Sequence, residues 1–147
     1  MATAPTRLGG FALVLLALLA GCGGGNSREN FVTDALAICG KANERVRALG
    51  TPESFTQTQL YARQAKDAVG DELDDLRDLT PPPEFEDAFA AYLQTLERRH
   101  TQLGLLAGAA DNTDINAVRE VGSELSVLTA KARTQARRAG IEECEPR

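Results

Sequence analysis

Apolar residues recur along this chain in steps of three and four, not in alternation. From Arg28 to Leu49 they fall at Phe31, Ala35, Ile38, Ala42, Val46 and Leu49, which places them on one side of a helix with its period of about 3.6 residues. Gly50 supplies a stop. Thr51-Pro52-Glu53 then offers an N-cap, a proline for the first turn and an early acid, the signature of a helix start. A second helix is predicted from there to Leu79, with Leu60, Tyr61, Ala65, Ala68, Val69, Leu73 and Leu76 inside. Thr80-Pro81-Pro82-Pro83 ends it, because proline lacks the backbone donor and biases the residue before it away from helix. A third helix opens near Glu84 and buries Phe85, Phe89, Tyr92, Leu96, Leu103 and Leu106. Asp111-Asn112-Thr113 makes the next turn and cap. The fourth helix carries Ile115, Val118, Val121, Leu125, Leu128, Ala132 and Ala136 inward until Gly140 stops it. No segment alternates, so no strand is predicted. Long helices joined by short turns imply an all-α, antiparallel up-down-up-down four-helix bundle.

The residues ahead of Arg28 follow a different pattern. Arg7 is the only basic side chain there, followed by an apolar run from Phe11 to Ala20 and then Gly21-Cys22. That is the layout of a secretory signal. Its apolar core is far short of the roughly 20 residues of a spanning helix. Leu19-Ala20-Gly21-Cys22 resembles a bacterial lipobox, in which a diacylglycerol is added to the cysteine sulfur and a peptidase cuts just before it. A plain secretory signal is the alternative, but it leaves the thiol at the cleavage point unexplained. Gly23-Gly24-Gly25-Asn26-Ser27 reads as a flexible tether. Two acyl chains suffice for stable anchoring. The expected organisation is a signal peptide over 1–21, a lipidated Cys22 and tether over 22–27, and a single bundle domain over 28–147.

Charge narrows the partners. The whole chain carries 21 acidic and 16 basic residues for a net charge of −5, and it has no tryptophan. Loss of Arg7 with the signal makes the mature domain more negative still. That sign opposes nucleic acid and an anionic bilayer surface alike, so no nucleic-acid partner is expected.

Cys39 and Cys144 bracket the domain almost end to end. In an exported chain such a pair is expected to be oxidised, with two free core thiols as the alternative. Antiparallel order brings the end of the fourth helix beside the start of the first. Cys39 lies well inside that first helix, so Gly140-Ile141-Glu142-Glu143-Cys144 must fold back along it to close the bond, and Gly40 would allow the close approach.

Catalytic chemistry has little to work with. Glu97-x-x-His100 has the spacing used in di-iron bundles, but those sites need a second such motif and two more glutamates. His100 is the only histidine, so metal and haem sites are not expected, and neither is any other cofactor. No nucleophile elbow or phosphate loop is present. Gly104, Gly108 and Gly122 interrupt helical pattern and suggest close helix packing. The acidic cluster Asp67, Asp71, Glu72, Asp74, Asp75 and Asp78 is more unusual. All but Glu72 share one side of the second helix, where like charges repel and the C-terminal half of the dipole disfavours acids. Arg133, Arg137 and Arg138 at the same end of the bundle are the expected compensators. The alternative is a surface for a basic partner or a cation, though no EF-hand loop is present.

The lipobox, the helix bearing Cys39, the junction Leu79-Thr80-Pro81-Pro82-Pro83-Glu84-Phe85 and the ending Ala139-Gly140-Ile141-Glu142-Glu143-Cys144 together resemble small helical lipoproteins of high-GC Gram-positive bacteria. Thirteen arginines against three lysines accord with such a genome. No active site comes with the likeness. It implies a lipid-anchored domain on the extracytoplasmic face of the cell membrane. Two functions fit: a non-catalytic module that docks on an envelope protein, and a binder of a small apolar ligand in the interior around Phe89, Tyr92 and Leu96.

Overall fold

The computed structural model describes residues 27–144. The expected signal peptide over 1–21, the expected lipidation at Cys22 and all of the expected tether but Ser27 lie outside the described residues. Four long helices follow one another: α1 (Arg28–Ala48), α2 (Phe55–Arg77), α3 (Glu86–Asp111) and α4 (Ile115–Arg138), with single 3-10 turns at Pro83–Phe85 and Glu142–Cys144. Among the described residues there is no strand. Neighbours run antiparallel. Gln59 at the start of α2 donates to Asp111 at the end of α3, whereas Glu72 late in α2 meets Tyr92 early in α3.

The helix ends are set by local chemistry. Thr51-Pro52-Glu53 does not start α2, because Ser54 takes the cap: its Oγ accepts from the Gln57 N–H at 3.2 Å. The Gln57 side chain in turn accepts from the Glu53 N–H at 2.6 Å, a variant of the reciprocal capping box. Thr113 turns the chain with φ of 54°, and Asp114, not the three residues before it, caps α4 by accepting from the Asn116 and Ala117 N–H groups. Gly50 and Gly140 stop α1 and α4 in the left-handed region, with φ of 69° and 72°. At Gly140 the full Schellman pair forms: the Gly140 N–H donates to Arg137 and the Ile141 N–H to Ala136. That geometry throws Ile141 back onto the bundle, where it is fully buried.

α3 packs along both α2 and α4, and α1 packs along α2. The Glu142–Cys144 turn fills the seam between α1 and α4, touching both. The largest core cluster occupies this end: Phe31, Ala35 and Cys39 from α1, Leu73 and Leu76 from α2, Phe89, Tyr92 and Leu96 from α3, and Ala132 and Ala136 from α4, closed by Phe85, Ile141 and Cys144. Phe31 meets Phe89 edge-on with ring centroids 5.1 Å apart, a favoured aromatic geometry. The opposite end holds two smaller clusters, Ala62, Leu106 and Ala107 in one and Ala65, Val69 and Leu103 in the other. Two positions expected inside are exposed instead: Leu60 at 56% and Ile115 at 52%. Ile115 is the first residue of α4, and Leu60 lies on the side of α2 opposite the buried Ala62, Ala65 and Val69. The inner stripe of α1 uses Cys39 where Ile38 was expected, and Ile38 packs at its edge.

Candidate functional site

Cys39 and Cys144 are joined in a disulfide with their Cα atoms 5.1 Å apart and 105 residues between them in sequence. Both are fully buried. The tail reaches Cys39 as the spacing required, but Gly40 is not the reason, since a Cβ there would meet nothing within 4 Å. The close approach is at Gly140, where a Cβ would stand 2.7 Å from Phe85 Cζ. Of the helical glycines, Gly104 does pack against Lys66, whereas Gly108 and Gly122 have open space beside them.

Behind the disulfide lies a group that periodicity alone did not reveal. Glu72 is 6% exposed and Tyr92 0%. The Tyr92 hydroxyl lies 3.3 Å from Glu72 Oε1 and 3.2 Å from the Cys144 carbonyl oxygen. Burial pushes the Glu72 carboxyl up to about 7, with Arg99 and the Tyr92 hydroxyl pulling only partly the other way. Burial and the nearby Glu72 charge both push the Tyr92 phenol well above its ordinary range. Arg99 is lowered by burial, against the favourable charge of Glu72. Its Nε and the Oε1 of Gln135 are buried without hydrogen-bond partners. A charged pair taken out of water in this way costs about as much as it returns. Glu72 and Arg99 both continue the apolar register, Glu72 three residues after Val69 and Arg99 three after Leu96, and that was the available signal. The single Tyr92 hydroxyl thus lies within reach of two acceptors, the Glu72 carboxyl and the Cys144 carbonyl.

The acidic stripe is on the surface: Asp67, Asp71, Asp74, Asp75 and Asp78 are all exposed. Asp71 pairs with Arg45 of α1 at 2.6 Å and Asp74 with Arg77 at 3.0 Å, while Arg77 also bridges to Glu97. The partners in these two ion pairs of the stripe come from α1 and from α2 itself. Exposed pairs of this kind contribute at most about 1 kcal/mol each. Glu97 is thereby engaged with Arg77, and the His100 ring lies against the backbone of Gly70. Among the described residues, no cluster of three metal-ligating side chains forms. Phe89, Tyr92 and Leu96 are packed shut at 2%, 0% and 0% exposure. A cavity of about 330 Å³ opens at the far end, lined by Pro52, Phe55, Thr58, Ile115 and Val118 among others. No helix of the described residues is long and apolar enough to cross a membrane.

No family matches the chain, and neither curated proteins nor solved structures match it.

Proposed function

We propose that the protein is a lipid-anchored module of the extracytoplasmic face of the cell membrane that docks on an envelope protein and carries out no reaction of its own. The observation behind this reading is the closed interior: the aromatic centre is sealed by Phe31, Ile141 and the Cys39–Cys144 disulfide. Such a core supports a rigid surface for docking, and it offers an apolar ligand no room beside Phe89, Tyr92 or Leu96. The cap of α1 is Ser27, five residues past Cys22. A lipid on Cys22 would therefore hold the bundle by its clamped end, with Arg28 stacked 5.1 Å over Phe85 as the first fixed contact.

The docking surface of this reading is the acidic stripe, of which Asp75 and Asp78 are exposed at the same end of α2. In-cell crosslinking of the full-length chain tests it. The reading requires one dominant envelope protein, captured by the native chain and lost from both the Cys22→Ala variant and the triple reversal D71K/D74K/D75K. Equal capture by all three chains would overturn it. Lipid labelling that persists in Cys22→Ala would overturn the anchor separately.

A further inference from the structure

We propose that the Glu72 carboxyl is a proton-operated latch on the C-terminal turn: protonated, it lets Tyr92 grip the Cys144 carbonyl, and ionised, it draws the Tyr92 hydroxyl away. The docking reading is not needed for this.

The geometry turns on one hydrogen. The Tyr92 oxygen lies 3.3 Å from Glu72 Oε1 and 3.2 Å from the Cys144 carbonyl, yet a phenol has a single O–H to donate. A carboxylate accepts only, so an ionised Glu72 competes with the Cys144 carbonyl for that hydrogen, and a charged acceptor makes the stronger bond. A neutral Glu72 donates instead. Its O–H satisfies the Tyr92 oxygen, and the Tyr92 hydroxyl is then free to donate to Cys144. The chain Glu72 to Tyr92 to Cys144 is complete only in the protonated state.

The surrounding charges leave Glu72 as the switching group. From α3 it faces Tyr92 and Arg99, and Arg99 in turn feels the attraction of Glu72 and Tyr61 of α2 and the repulsion of Arg133 of α4. The buried face of α1 is Phe31, Ala35, Cys39 and Ala42, all uncharged. In the terminal turn, Glu142 and Glu143 are exposed, and Cys144 is held in the disulfide. The tyrosine is displaced upward and a guanidinium does not give up its proton in a protein, so the carboxyl, brought by its burial to about 7, is the group that changes near neutrality.

The latch acts on a short segment. The Ile141 and Cys144 N–H groups donate to Ala136 and Ile141 at 2.9 Å each, so amide exchange there reports how firmly the turn is held. The experiment follows these amides by NMR on the disulfide-intact chain at about pH 5.5 and about pH 8, as protection factors relative to α3. In the native chain, protection of the turn should fall roughly five- to tenfold at the higher pH while α3 is unchanged, the loss of one hydrogen bond. Glu72→Gln, a permanently neutral donor, should keep the turn at its acidic protection at both pH values. Tyr92→Phe should lower protection at both and abolish the pH effect, which keeps the proposal open to test even if Glu72→Gln does not fold. Turn and α3 falling together, no change in the native chain, or an unaltered pH response in either variant would overturn it.

Discussion

The two ends of this bundle are built differently. At the clamped end, three phenylalanines, Tyr92, Leu73, Leu76, Leu96 and Ile141 interlock around a disulfide. At the far end, the wholly buried positions are mostly Ala62, Ala65, Ala107, Val69, Leu103 and Leu106, and much of the remaining apolar surface, including Val118, Val121 and Leu125, is only partly covered. Large side chains remove more apolar area from water than alanines do, at about 25 cal/mol per Å², so the clamped end holds more of the folding energy. A covalent closure that spans nearly the whole domain adds to the same end. The far end, with exposed Leu60 and Ile115, is expected to open first. Between the two lie the buried Glu72 and Tyr92 with the half-buried Arg99, where charge enters the packing.

Breaking the clamp should have the largest effect. Cys39→Ala with Cys144→Ala removes a closed loop of 105 residues, and the chain-entropy account assigns such a loop about 4 to 5 kcal/mol. Urea unfolding should show a loss of this order. A loss below about 2 kcal/mol would mean that packing alone holds the Glu142–Cys144 turn in the seam.

Next comes the proton on Glu72. Its pKa rises from 4.5 to about 7 on folding. Within that window the folded chain keeps a proton that the unfolded chain has released, so stability falls as pH rises and levels off above the window. The total is on the order of 3 kcal/mol. Urea midpoints between about pH 5 and about pH 8 should trace this slope, and Glu72→Gln should remove it. A slope that survives the substitution would have to belong to another group.

The smallest effects come from glycines and should have opposite signs at the two ends. Gly140→Ala forces a left-handed alanine with its Cβ 2.7 Å from Phe85, costing about 1 to 2 kcal/mol for the backbone alone. Gly122→Ala in α4 has open space beside it and should stabilise by about 0.5 to 1 kcal/mol. Thermal unfolding of both variants would show whether Gly140 is the tighter joint.

Much of this was legible in the chain. Four helices follow from the three-four spacing, and the disulfide was foreshadowed by two cysteines that bracket one domain. The boundaries were less legible because Ser54 and Asp114 compete with Thr51 and Asp111 as caps, and only geometry decides between neighbouring polar residues. Ile115 matches the helical period but is the first residue of α4, whereas Leu60 stands across α2 from the buried Ala62, Ala65 and Val69 and so belongs to the outer side. Glu72 and Arg99 were missed for the opposite reason. Their charge reads as surface although their register is internal, and Glu72 is met inside by the Tyr92 hydroxyl and the nearby charge of Arg99. The Arg45 partner of Asp71 depended on which helices are adjacent, a fact that comes from packing, whereas Arg77 follows Asp74 by three residues on the same helix and its pairing lies in the spacing.

The most direct test of unequal ends is a matched truncation. Leu76 is 0% exposed in the clamped cluster and Leu106 is 7% exposed in a far one. With the disulfide intact, urea unfolding of Leu76→Ala should show a loss near the top of the range of about 2 to 5 kcal/mol for buried leucines, and Leu106→Ala a loss near the bottom. Equal losses, or a larger loss at Leu106, would contradict a bundle held together mainly from its disulfide end.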